Sequence, residues 1–251
     1  MSKNQENQDN EEQKCLDLVK RKLNKNDCFG MSNQQYNELQ KWLKDAKPNH
    51  NSNKFPDITF EDGFIEHFKV TSSAEDKKGS KQKRESSNFE RYSKNTFLSN
   101  LDSREEDMLV SNSFFREFEE HTYLNIVNSI KKNWEKHIES YDKQTSPSKH
   151  GIFLLEYIDI NIQTAINREN EPAECYCSYR ISADRYLLEW IHRFKEKIEY
   201  LILINPLSIE VIRLDQILNI IESIPRVVTY APIEGILSHN ILGYKTKKRD
   251  I

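Results

Sequence analysis

The sequence predicts an α/β fold: a mixed central sheet flanked by helices, with a helical N-terminal region. Three observations predict it. Two alternating apolar runs, FPDITF (55–60) and FIEHFKV (64–70), stand on either side of a break at Asp62-Gly63. Two nearly continuous apolar runs, GIFLLEYIDI (151–160) and EYLILIN (199–205), follow later. Stretches of helical periodicity precede and separate them, and strands that alternate with helices favour a layered α/β domain.

The elements follow in chain order. Residues 1–11 are Asn, Gln and charge with little to bury, and read as a disordered tail. From Glu12, Leu16, Val19 and Leu23 recur at helical spacing. After a break at 26–30, Ser32 is placed to cap a second helix, with Gln35 completing a capping box and Tyr36, Leu39, Trp42 and Leu43 on one face. KPNHNSNK (47–54) ends this N-terminal helical region, which spans 12–50. The Asp62-Gly63 turn then makes the two alternating runs antiparallel neighbours.

Residues 72–112 interrupt the pattern. They are Ser-rich and basic, with Lys77, Lys78, Lys81, Lys83 and Arg84 close together, and then acidic. Such a run reads as a solvated, mobile insertion in a core spanning 51–251, or as a strap that contacts phosphates. Apolar residues from Phe114 to Tyr141 predict a long helix starting at Ser113. The run 151–160 is a buried strand, 167–174 a polar loop, 182–198 a helix capped by Ser182, and 199–205 another buried strand. SIEVIRL (208–214) makes a short strand, QILNIIESI (216–224) a helix, and RVVTYAP (226–232) returns to the sheet edge.

Composition bounds the function. The 251 residues carry a net charge of −3, so any binding of nucleic acid must come from a local basic patch rather than a global field. The polar start predicts no secretory signal, and apolar runs too short to cross a bilayer predict no membrane span, hence a cytoplasmic protein. Cys15, Cys28, Cys175 and Cys177 form no CxxC pair and read as reduced thiols. No P-loop, Rossmann fingerprint or G-x-S-x-G is present.

Pro56-Asp57 on one strand, a turn, and Glu66 on the next resemble the PD-(D/E)xK nuclease superfamily, as does the order of helix, hairpin, helix, strand and helix over about 12–197. The resemblance implies a restriction-endonuclease-like core. It also implies a metal-dependent nuclease acting on DNA or RNA, with Asp57 and Glu66 as ligands of Mg²⁺ or Mn²⁺. Such enzymes serve in bacterial defence against foreign nucleic acid. The chemistry suits the residues: two carboxylates can hold a hard cation, and a lysine beside them can orient the attacking water or stabilise the oxyanion.

The pattern departs at the lysine. Two residues after Glu66 stands Phe68, and on a regular strand Lys69 lies on the other face with Ile65 and His67. Three readings stay open: a bulge near His67 swings Lys69 round, a lysine such as Lys77 or Lys78 reaches in, or the site has lapsed. In the last case the fold is a module that binds nucleic acid or a protein partner within a larger complex, and a homo-oligomer is compatible with either role. Thr71, Ser72, Ser73, Lys77, Lys78 and Lys81 are candidate phosphate contacts, against a reading as caps and a polar turn. Glu117 and His121, one turn apart on the expected helix, and Glu156 and Asp159, near the end of a buried strand, are further candidate ligands against solvated or ion-paired readings.

Overall fold

A computed structural model describes residues 3–49, 55–76, 79–104, 108–117, 120–144, 148–233 and 236–246. In chain order the elements are α1 (Lys3–Lys22), β1 (Cys28–Phe29), α2 (Asn33–Asp45), β2 (Lys47–Pro48), β3 (Ile58–Phe60) and β4 (Gly63–Val70). Next come β5 (Glu75–Asp76), β6 (Gly79–Ser80), α3 (Lys81–Asp102), β7 (Met108–Glu117), α4 (Tyr123–Asp142) and β8 (His150–Tyr157). The remainder are β9 (Ile162–Asn167), β10 (Glu174–Tyr176), α5 (Arg185–Ile191), β11 (Tyr200–Ile204), β12 (Ile209–Arg213), α6 (Ile217–Ser223), β13 (Val227–Pro232) and β14 (Ile236–Lys245). The chain forms two compact units, one from 1–72 and 122–231, the other from 73–121 and 232–251.

The first unit is built on a seven-stranded mixed sheet of order β1-β12-β11-β8-β4-β3-β2. β4, β8 and β11 run parallel, while the β3–β4 and β11–β12 pairs are antiparallel. Helices cover both faces, which is why the central strands read as unbroken apolar runs. On one face Phe64, Phe68, Phe153, Leu155, Leu201 and Leu203 pack with α4, α5 and α6 around fully buried Trp134. On the other, Ile65, Ile152, Leu154, Tyr200 and Ile202 pack with Cys15, Leu16 and Val19 of α1 and Leu39 and Leu43 of α2. Alternate residues of β4, β8 and β11 feed the two cores in turn, as the strand period requires. The expected Ser32–Gln35 capping box starts α2. A smaller sheet, β10-β9-β13, completes this unit.

The second unit pairs β7 with β14 over ten residues, from Met108↔Lys245 to Glu117↔Ile236, with α3 against one side of the ribbon. Ser93 Oγ lies 2.6 Å from His239 Nδ1, and Arg116 donates to Ser86 Oγ at 2.8 Å. Gly243 is required here: a Cβ would stand 2.6 Å from the Phe97 ring.

Several expectations change. α1 begins at Lys3, upstream of the expected start at Glu12. The stretch expected as a mobile insertion holds α3 and the start of β7. The expected helix from Ser113 is strand through Glu117, where Phe114 and Phe115 fall on opposite faces of the ribbon, and α4 starts only at Tyr123. Thr122 caps α4, accepting from the Asn125 N–H at 3.0 Å. Asp184, not Ser182, caps α5, and RVVTYAP joins β9 rather than the main sheet. Among the described residues no helix is long and apolar enough to cross a membrane.

Candidate functional site

Asp57 precedes β3 at the point where the hairpin register, Ile58↔Ile65, would next pair it with Glu66. Its N–H donates to Glu66 Oε2 at 3.2 Å, and its Oδ2 accepts from the His67 N–H at 2.9 Å. The two acids singled out by the sequence are therefore neighbours. Burial pushes the Asp57 carboxyl up to about 8, and the charges of Glu66 and Glu12 push the same way, against the His67 N–H. Glu12, from α1, is itself 3% exposed.

Glu66 and Lys69 part company. The β4–β8 register runs unbroken from Gly63↔His150 to Val70↔Tyr157, so no bulge turns the strand. Glu66 faces the α4 layer, where its Oε1 lies 2.6 Å from His137 Nδ1 and His137 stacks on Phe68 at 4.7 Å. Both Glu66 oxygens are thus engaged. Lys69 faces the α1 layer, where its Nζ lies 2.6 Å from Glu11 Oε2 and 4.0 Å from Glu156 Oε2. His67, beside it, lies 3.1 Å through Nε2 from the same Glu156 oxygen. The first of the three open readings, a bulge near His67, is thereby ruled out: β4 is held between β3 and β8 in continuous register.

Glu11 from α1 and Glu156 from β8 meet Lys69 on its side of the sheet, and Glu12 of α1 is a buried acid whose charge reaches Asp57. Glu156 is a candidate from the sequence, whereas Glu12 is not. A signal was present: Glu12 continues the apolar stripe of Leu16, Val19 and Leu23, a position where an acid must be buried.

The other candidates resolve unevenly. Ser72 is fully buried; its N–H donates to Asp159 at 3.1 Å and its Oγ lies 2.9 Å from the Tyr157 hydroxyl. Thr71 Oγ1 donates to the same carboxylate. Asp159 therefore braces the turn after β4, and Ser72 presents no surface to a phosphate. Ser73 is 1% exposed and bridges to His121, which removes it from that role too. Lys77 and Lys78 lie outside the described residues, and Lys81 opens α3 in the second unit. Glu117 ends β7, so it and His121 do not share a helix. Asp184 and Glu210 are buried acids of a different kind. Glu210 accepts from the Ile181 N–H at 2.8 Å and pairs with Arg180 at 3.3 Å, and Asp184 accepts from Tyr179 at 2.6 Å and Tyr123 at 3.0 Å. Donors of that density mark structural acids. Among the described residues the Asp57 carboxylate accepts one hydrogen bond and faces two like charges, an arrangement that a cation would relieve.

Comparison of the chain with protein-family models, with curated proteins and with solved structures finds no match.

Proposed function

We propose that this protein is a divalent-metal-dependent nuclease with a restriction-endonuclease-like core, cleaving DNA or RNA in the cytoplasm as part of defence against foreign nucleic acid. One observation carries the reading: Asp57, its carboxyl raised first by burial and then by the charges of Glu66 and Glu12, on a hairpin that also carries Lys69. The donor set suits a hard cation, because carboxylate oxygens are what Mg²⁺ and Mn²⁺ take. Asp57 and Glu12 would hold the ion. Glu66, engaged by the Asp57 N–H and by His137, fixes the Asp57 backbone and adds negative charge. When bound, the ion supplies Lewis-acid activation of the phosphodiester and an ionised water.

Lys69 contributes the second element. Its ammonium, steadied by Glu11 on the α1 side, is available to orient the attacking water or to neutralise charge on the phosphoryl oxygens. The lysine thus works with the acids of α1 rather than with the acid three residues before it.

A second reading has its own observation. Glu66 and Lys69 face opposite sides of β4, as a lapsed module that only binds nucleic acid or a protein partner would tolerate. Cleavage of plasmid DNA and of single-stranded RNA, with Mg²⁺, Mn²⁺ or chelator, separates the two. The nuclease reading expects metal-dependent cleavage, lowered by at least about 100-fold in both Asp57→Asn and Lys69→Met. Equal cleavage in wild type and Asp57→Asn sinks it. No cleavage, with salt-sensitive binding retained, supports the module.

A further inference from the structure

The α1 face of the sheet carries a group of side chains that the hydrolase reading does not use. Cys15 of α1, His67 of β4 and Glu156 of β8 bring a thiol sulfur, an imidazole nitrogen and a carboxylate oxygen within 4.8 Å of one another. We propose that these three residues form a separate cation site, selective for a thiophilic divalent ion of the Zn²⁺ class. The proposal does not depend on the nuclease reading, since neither Asp57 nor Glu12 takes part.

Three features support it. The first is ligand type. A sulfur, a nitrogen and an oxygen match zinc, whereas Mg²⁺ avoids thiolate. The second is spacing. Zinc bonds of about 2.0–2.3 Å place tetrahedral ligand atoms roughly 3.3–3.8 Å apart. His67 Nε2 and Glu156 Oε2 already stand at 3.1 Å, so the thiol needs to close by about 1.5 Å at most. The third is enclosure with an opening. Cys15 and the His67 side chain are buried, at 4% and 5% exposure, whereas the Glu156 side chain keeps 32%.

Charge is conserved on binding. Burial and the Glu156 carboxylate push the Cys15 thiol up, so the ion displaces a proton from sulfur to solvent. One dication, one thiolate and one carboxylate then sum to zero beneath α1. Lys69 favours the thiolate, since its ammonium pulls against the rise of the Cys15 thiol, and it stands 2.6 Å from Glu11 and 4.0 Å from Glu156.

The test uses Co²⁺ as a spectroscopic stand-in for Zn²⁺ on the full chain. A thiolate ligand gives a near-ultraviolet charge-transfer band that carboxylate or imidazole ligands do not. The band is expected to saturate at one ion per chain and to be displaced by Zn²⁺. It should persist when the exposed Cys175 and Cys177 are both changed to Ser, vanish in Cys15→Ser, and need at least about tenfold more Co²⁺ in Glu156→Gln. No band in the wild type, or a band that survives Cys15→Ser, overturns the site. If Cys15→Ser does not fold, Glu156→Gln decides, and unchanged Co²⁺ affinity there overturns it. Asp57→Asn keeps the two proposals apart. Cleavage lost with the band intact supports both, no cleavage in any chain with the band intact sinks only the nuclease, and cleavage without the band sinks only the thiolate site.

Discussion

Replacing Asp57 by Asn should make the metal-free protein more stable, and increasingly so as pH rises. The folded-state carboxyl titrates at about 8 against an ordinary 3.8. Below about pH 4 both folded and unfolded chains hold the proton, and the residue contributes nothing to the pH dependence. Between about 4 and 8 the folded chain keeps a proton that the unfolded chain has released, so wild-type stability falls as pH rises. Each pH unit in this window is worth about 1.4 kcal/mol, which sets a ceiling of about 6 kcal/mol above pH 8. Asn removes the titration and retains an oxygen for the His67 N–H. Urea denaturation of both chains with chelator at pH 5, 6.5 and 8 reads the difference directly. The expected gap widens by more than about 2 kcal/mol between the first and last pH. Mn²⁺ at 100 times its Kd should then restore about 2.7 kcal/mol to the wild type at pH 8 and nothing to Asp57→Asn. Parallel stability profiles for the two chains would refute the idea that burial and the neighbouring acids hold the Asp57 carboxyl protonated.

Three further outcomes follow from the packing. Glu66→Ala strips a buried partner from His137 and an acceptor from the Asp57 N–H, and should cost about 3–5 kcal/mol in urea denaturation. Trp134→Ala empties the centre of the α4 core, where the ring meets Phe153 edge-on at 4.7 Å, and should also cost about 3–5 kcal/mol. Gly243→Ala forces the Phe97 ring aside and should cost about 1–3 kcal/mol, seen as faster proteolysis confined to the second unit.

The core of the first unit was legible because its signals are local. Alternation around Asp62-Gly63, the continuous runs 151–160 and 199–205, and the Ser32–Gln35 cap each record a nearby physical requirement. The second unit was not. β7 pairs with a strand far along the chain, and its polar–apolar alternation abuts the periodicity of α4, so Phe114 and Phe115 were absorbed into a single helix. Charge concealed α3: its opening Lys and Ser residues resemble a solvated strap, although Ser93 and Phe97 pack against β14. At the candidate site, strand alternation correctly separated Glu66 from Lys69. What it could not supply was the acid from α1, since nothing local to Glu12 reveals which strand lies beneath it.

The pairing of β7 with β14 sets a timetable for synthesis. Some 120 residues separate Glu117 from Ile236, so at ribosomal rates β7 waits roughly 6–24 s for its partner strand. The seven-stranded sheet, whose last strand ends at Arg213, can close within that interval. The nascent chain therefore passes through a stage in which one unit is folded and the other is an open strand carrying Val110, Phe114 and Phe115. That stage is where a holding chaperone would engage, and where a chain cut short before Ile236 would remain.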